Sequence, residues 1–402
     1  MFDFIIKGRL IDGVSNEPIE RGILAIQGDR IAYAGAEAGF SMPENAKVIS
    51  ADTILPGFFD VHAHLVGHED AGDFADGKFF GDQLLGAAYQ TGVLLDAGFT
   101  GIRDMSEAGL YLSRAQQRGI LRAPRIMPGG RILGITSGHI DMDPYMSKAD
   151  INRSSTYFRL CDGEADCLLA VREQFRIGAQ FIKICATGGV SSPTDRIDDV
   201  QFSPQELRVI VEETQRHHSY VAAHCTGNEG AYQALLAGVT CIEHGVVLTQ
   251  REIDLMAEKN ATLVTTLAVS LGVANFPGLP DWMKKKVETT AQCNIETIAM
   301  ARKAGIRIAL GTDYSNSKNT PYAKLGEEFH AMVKAGMTPM EAIKAGTIHG
   351  AYLTRSDSET GSLEAGKLAD IVLVKGNPLQ SITCLGDSQN IESVFLGGRK
   401  VK

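Results

Sequence analysis

Ten histidines are spread through 402 residues, and four of them share a setting. His62, His64, His224 and His244 stand at the ends of short apolar, β-rich runs: FFDVHAH, SYVAAHC and TCIEHG. Lys183 in QFIKICA and Asp313 in RIALGTD sit in runs of the same kind. His62 and His64 are two residues apart, so on a strand both imidazoles leave one face and can share a cation. One such histidine alone reads as a hydrogen-bonded core residue. Six polar groups of these types at the ends of apolar runs point instead to a metal centre. Imidazole and carboxylate donors suit Zn²⁺ and its first-row neighbours. The lysine is the anomaly, because an ammonium is repelled by a cation and has no lone pair. Either it forms a salt bridge to Asp313 or Glu243, or it carries CO₂ as a carbamate, an anion whose two oxygens can bridge two cations.

A centre of this kind needs elements that gather the ends of distant runs. Eight apolar runs alternate with helical stretches: ILPGFFDVHAH, 98–105, 124–130, 180–186, 219–225, 240–245, 261–267 and 307–313. Several follow a helix that ends in Gly, the residue that lets the chain turn back. This pattern predicts a (β/α)8 TIM barrel over 55–355, an α/β fold whose active site lies at the C-terminal strand ends. A doubly wound sheet is the rival, but no Gly-rich fingerprint follows the first strand. Short β-rich runs at 2–11, 22–27 and 30–34 resemble those at 369–375 and 392–401. They predict a composite β-sandwich built from 1–54 and 356–402. Residues 133–170 exceed a normal βα connection, and long loops at that end of a barrel carry function.

Apolar residues make up 44%, charged residues 22%, and the net charge is −9, which offers no basic stripe for nucleic acid. Charges break the opening MFDFIIKGRLIDG, and no run approaches the roughly 18 apolar residues of a membrane span. The expectation is a soluble, cytoplasmic chain without a secretory signal or a membrane partner. Seven cysteines, odd in number and without a CxxC pair, predict reduced and mostly buried thiols.

LPGFFDVHAH, FIKICATGGVSSPTD, AAHC, IEHG and LGTD, followed by TIHGAYLT and GSLEAGKLADIVLVKGNPL, resemble the amidohydrolase superfamily. The similarity is to its imidazolonepropionase-related peptidases, the Xaa-Pro dipeptidases and Xaa-Arg/Lys carboxypeptidases, and it covers nearly the whole chain. It implies two divalent metal ions, zinc being the expected metal. His62, His64 and Asp313 would hold one and His224 and His244 the other, with Lys183 as N6-carboxylysine and a hydroxide bridging them. Asp313 would also take the proton of the attacking hydroxide and pass it to the leaving amine. Lys183 and His244 favour such a two-metal hydrolase over the usually mononuclear imidazolonepropionase and deaminases. Glu229, five residues after His224, reads as a solvated helix face rather than a deaminase acid.

The implied substrate is a small molecule: a dipeptide or N-acyl amino acid with a free C-terminal carboxylate. His139 in GITSGHIDMDP matches the family's loop after strand three and would reach the substrate carboxylate or carbonyl oxygen. Gly188, Gly189 and Val190 would form the substrate-side wall. Thr226 departs from the pattern, standing where such peptidases carry Tyr or His. A cyclic amide or lactone hydrolase or a deaminase is therefore the alternative, and a non-catalytic barrel in a structural oligomer the remote one. The resemblance also implies a homo-oligomer. His68, Asp70, Asp73 and Asp76 read as loop polarity, and His217, His218, His330 and His349 as structural residues in helices.

Overall fold

The computed structural model describes residues 2–44, 46–66, 79–276, 278–315 and 319–402. Its centre is a (β/α)8 barrel. Barrel strands one to eight are Phe58–Ala63, Phe99–Asp104, Arg125–Pro128, Ile182–Cys185, Val221–Cys225, Cys241–His244, Thr262–Thr265 and Arg307–Leu310. Strands one to three form one parallel sheet and strands four to eight belong to another. The seams close where Ala63 pairs with Tyr314 and where the Gln180 amide donates to the Pro128 carbonyl at 2.8 Å. One buried cluster draws on seven of the eight strands, from Phe59 and Val61 through Met127, Cys185, Ala222 and Cys241 to Val264 and Ala309, with Met105 from just beyond strand two. It fills the barrel interior, each large apolar side chain contributing about 1.5–3 kcal/mol on burial. A second cluster, with Leu94, Ile210, Leu235 and Ile298, joins the helices to the outside of the strands.

The helices begin and end where their sequence signals stand. Ser203 and Glu206 form a reciprocal capping box at Pro204–Arg216. Gly178 and Gly238, at φ 108° and 103°, end the helices Glu164–Ile177 and Asn228–Ala237 before strands four and six. Three expectations need correction. ILPGFFDVHAH is not one strand: Val48–Pro56 belongs to the terminal sheet, and only after Gly57 does barrel strand one begin. Residues 133–170 are not one long loop, because Ile132–Gly134 and Phe158–Leu160 pair in parallel beside strand four and enclose the helix Lys148–Ser154. His217 and His218 lie just past the end of a helix, His218 in a left-handed turn at φ 54°.

The two ends of the chain share one seven-stranded sheet, in which Phe4–Leu10 and Ile371–Val374 flank Val48–Pro56. Phe4 and Phe395 stand three strand spacings apart, about 14 Å on a flat sheet. Their ring centroids are nevertheless 5.1 Å apart. The sheet therefore folds over on itself and buries Ile6, Leu24, Ile371 and Leu373 as a sandwich core. Among the described residues no helix is long and apolar enough to cross a membrane. All seven cysteines are free thiols, five of them buried.

Candidate metal centre

Strands one, five and six deliver their histidines to the C-terminal end of the barrel, as strand parity requires. Cys185 is level with His224, and Cys225 with His244. The His224–His244 and His62–His244 ring centroids lie 4.5 and 4.7 Å apart. Asp313 falls three residues beyond strand eight, in a left-handed conformation at φ 60° that turns it back over the barrel mouth. Two bonds hold it level with strand one: its amide donates to the His62 carbonyl at 2.7 Å, and the His64 amide to the Tyr314 carbonyl at 3.0 Å. Beneath them the buried Asp60 accepts from the His62 and Thr312 amides and from the Thr312 hydroxyl, at 3.1, 3.0 and 2.6 Å. Burial pushes the Asp60 carboxyl up to about 6.

Each of the four histidines has one ring nitrogen held by the protein and the other turned inward. His62 Nδ1 meets Glu243 at 2.7 Å, His64 Nδ1 meets the Tyr157 hydroxyl at 2.7 Å, and His244 Nδ1 meets Thr266 at 2.8 Å. His224 is reversed, its Nε2 facing Thr226 Oγ1 at 3.1 Å and the Gly188 carbonyl at 3.3 Å. A carboxylate and a carbonyl can only accept, so His62 and His224 donate outward and keep the inner lone pair. Burial first, and then neighbouring positive groups, hold His224 and His244 well below the usual histidine range, and burial lowers His64 as well. All three are neutral near pH 7, the ligand form of imidazole. His62, His64 and Asp313 bring ligand atoms within 4.8 Å of one another, a group that could hold a metal ion. Burial raises the Asp313 carboxyl, but attraction to His62 and His64 outweighs it and leaves Asp313 ionised.

Lys183 forms neither expected salt bridge. Its side chain is buried, and among the described residues Nζ has no hydrogen-bond partner. Glu243 is committed elsewhere, to His62 and to the guanidinium of Arg103 on strand two, both side chains being fully buried. An orphaned buried amine among neutral imidazoles is costly as an ammonium and suits a carbamate. Sequence reasoning missed Arg103, although IRD placed two charges inside an apolar strand. It missed Tyr157 and Thr266 as well, for which the sequence carries no signal.

On the substrate side, His139 stacks on His224 with ring centroids 4.5 Å apart and is 7% exposed. Gly188 and Gly189 are buried next to it, while Val190 is half-buried. Thr226 is not an open substrate contact: it is 2% exposed, and its hydroxyl is spent on His224. Glu229 is paired with Arg251 and Gln233 on the surface. His68, Asp70, Asp73 and Asp76 lie outside the described residues. At the opposite end of the barrel, Arg172, Arg176, Glu213, His217 and Arg355 line an open depression of about 850 Å³. Arg176 sits in the last turn of Glu164–Ile177, where it complements the helix C-terminus, and Arg355, just past Ile348–Leu353, donates to the His218 carbonyl.

The model of the amidohydrolase family matches residues 53–401. Ochratoxinase of Aspergillus niger is 32% identical over 418 residues, covering 99% of this chain and 86% of its own, and its crystal structure superposes with a TM-score of 0.90. A prolidase solved with N-methylphosphonate-L-proline is 30% identical, with a TM-score of 0.90 and 99% of each chain covered. A Xaa-Pro dipeptidase with bound methionine is 29% identical, with a TM-score of 0.87 and 99% of each chain covered. With a barrel gathering histidines and an aspartate at its mouth and a family match over most of its length, this chain belongs to the amidohydrolases, hydrolases of amide and peptide bonds.

Proposed function

We propose that this protein is a two-metal hydrolase of dipeptides or N-acyl amino acids that carry a free C-terminal carboxylate. One observation carries the reading: His62 and His64, each fixed through Nδ1, turn Nε2 to Asp313 at 3.4 and 2.9 Å, His224 and His244 are each fixed through one nitrogen beside them, and the buried amine of Lys183 has no hydrogen-bond partner among the described residues. His62, His64 and Asp313 would hold one cation and His224 and His244 a second, with Lys183 as N6-carboxylysine between them. Zinc is the metal this donor set suits. Two such cations supply an activated water and a polarised scissile carbonyl.

The chain's own groups do the rest. Asp313, whose side chain is 31% exposed toward the mouth, is placed to hold a proton and release it to the leaving amine. His139 faces the substrate from the strand-three side. The prolidase and Xaa-Pro dipeptidase neighbours, solved with a proline phosphonate and with methionine, support an α-amino acid on the amine side of the bond. Thr226, withdrawn onto His224, leaves room for a bulky acyl group.

Protein purified without chelators and supplied with zinc and bicarbonate should hold two metals per chain. It should hydrolyse members of a panel of N-acyl amino acids and of Xaa-Pro, Xaa-Arg and Xaa-hydrophobic dipeptides. Lys183→Ala should fall below two metals and lose activity, with partial rescue by small carboxylic acids. Full activity in that variant would exclude the carbamate, and silence across the panel would exclude this substrate class.

A further inference from the structure

His139 is held from four sides, and the group behind it is a carboxylate that the metal centre does not use. One ring face lies on His224, with 29° between the planes. The other lies against Gly189, where a Cβ would come within 2.3 to 2.8 Å of Cε1, Nε2 and Nδ1. Only a residue without a side chain fits under the ring. At the ring edge, Nδ1 meets Asp195 Oδ2 at 3.0 Å, and Nε2 is 3.5 Å from Ser191 Oγ.

The Asp195 carboxylate is 1% exposed and fully engaged. Oδ2 also accepts from the Gly189 amide at 3.0 Å, and Oδ1 accepts from Lys286 Nζ at 2.9 Å. Lys286 spends its other two protons on the carbonyls of Gly189 and Ser192, at 2.8 and 2.7 Å. It stands on the helix Asp281–Lys303, which follows strand seven, whereas residues 187–200 follow strand four. The ammonium therefore compensates a buried carboxylate and fastens together two excursions from different strands. A buried charge needs such compensation, and this one is satisfied without help from the metal ligands.

We propose that Asp195 and Lys286 are positioning residues for His139: Asp195 fixes the imidazole with its N–H at Nδ1 and leaves the Nε2 lone pair, met only by Ser191 Oγ at 3.5 Å, for substrate, and Lys286 holds Asp195 in place. The proposal rests on the reading of His139 as a substrate contact. A carboxylate acceptor at Nδ1 selects that tautomer, as orienting carboxylates do behind other imidazoles. Because Lys286 reaches across from the strand-seven side, the orientation of His139 depends on how that helix sits.

The test is a double-mutant cycle in the zinc-loaded enzyme on the best substrate of the panel. Asp195→Asn should lower kcat/KM about 10–100-fold with metal content unchanged. Lys286→Met and Gly189→Ala should act in the same direction. In a His139→Ala background, Asp195→Asn should cost less than about 2-fold, because it works through the missing ring. Full additivity of the two substitutions would overturn the proposal. A His139→Ala enzyme with unchanged kcat/KM would instead remove the substrate contact itself. If no panel member is hydrolysed, ¹⁵N-histidine NMR of the zinc-loaded protein decides, with the His139 signals assigned through His139→Gln. An Nδ1-protonated His139 that changes tautomer in Asp195→Asn supports the proposal, and ring signals identical in the two proteins refute it.

Discussion

Glu243 turns one buried carboxylate to two tasks. Burial raises its pKa, but the adjacent Arg103 guanidinium, with Lys183 and His62, holds it well below the usual glutamate range. An ionised Glu243 then fixes the His62 tautomer through Nδ1. Glu243→Gln should therefore weaken metal binding about 10–100-fold by chelator competition and, because it leaves the buried Arg103 guanidinium without its counter-charge, also lower stability. An unchanged affinity would remove Glu243 from the metal centre. Arg103→Met strands the carboxylate instead. It should lower unfolding stability by about 3–5 kcal/mol in denaturant titration, the cost of an unpaired buried charge. A loss under 1 kcal/mol would show that the pair is not the compensated unit described here.

At the scale of elements, the segment after strand seven is anchored by one side chain. Glu328, fully buried on Glu327–Lys334, accepts from the Thr265 hydroxyl and the Leu267 and Ala268 amides at 2.8, 2.9 and 2.6 Å. Burial pushes its carboxyl up to about 7, from the ordinary glutamate value of 4.5. The folded state then binds more protons than the unfolded state between those values. Its stabilising contribution is complete below about pH 4.5 and lost as pH rises through about 7, at most on the order of 3 kcal/mol. Glu328→Gln should remove that component, so its stability should vary less than the wild type's between pH 5 and 7.5. Parallel pH profiles for the two proteins would contradict this.

For the molecule as a whole, the candidate ligands come from strands one, four, five and six and from the turn after strand eight, so metal binding ties together most of the barrel's circumference. A ligand that binds only the folded state stabilises it by about 2.7 kcal/mol at a hundredfold excess over Kd. Chelation should lower the thermal midpoint, and zinc with bicarbonate should restore it. A midpoint indifferent to bound metal would argue against a centre that spans those strands.

The sequence by itself determined the eight-strand order, the C-terminal placement of the histidines and the shared face of His62 and His64, because side-chain alternation along a strand is a local property. It also placed Lys183 and Asp313 at the same end of the barrel. It did not show the break at Gly57 inside ILPGFFDVHAH, since an apolar run reads the same in a terminal sheet and in a barrel. Nor did it show that Thr226 turns its hydroxyl onto His224, or that Arg103 meets Glu243 from 140 residues away. The Tyr157–His64 and Lys286–Asp195 contacts are of the same kind. Only barrel closure and inter-strand register bring these groups together, and neither leaves a periodic trace in the chain. Tertiary structure alone decided which nitrogen of each histidine faces inward and which carboxylates stand behind them.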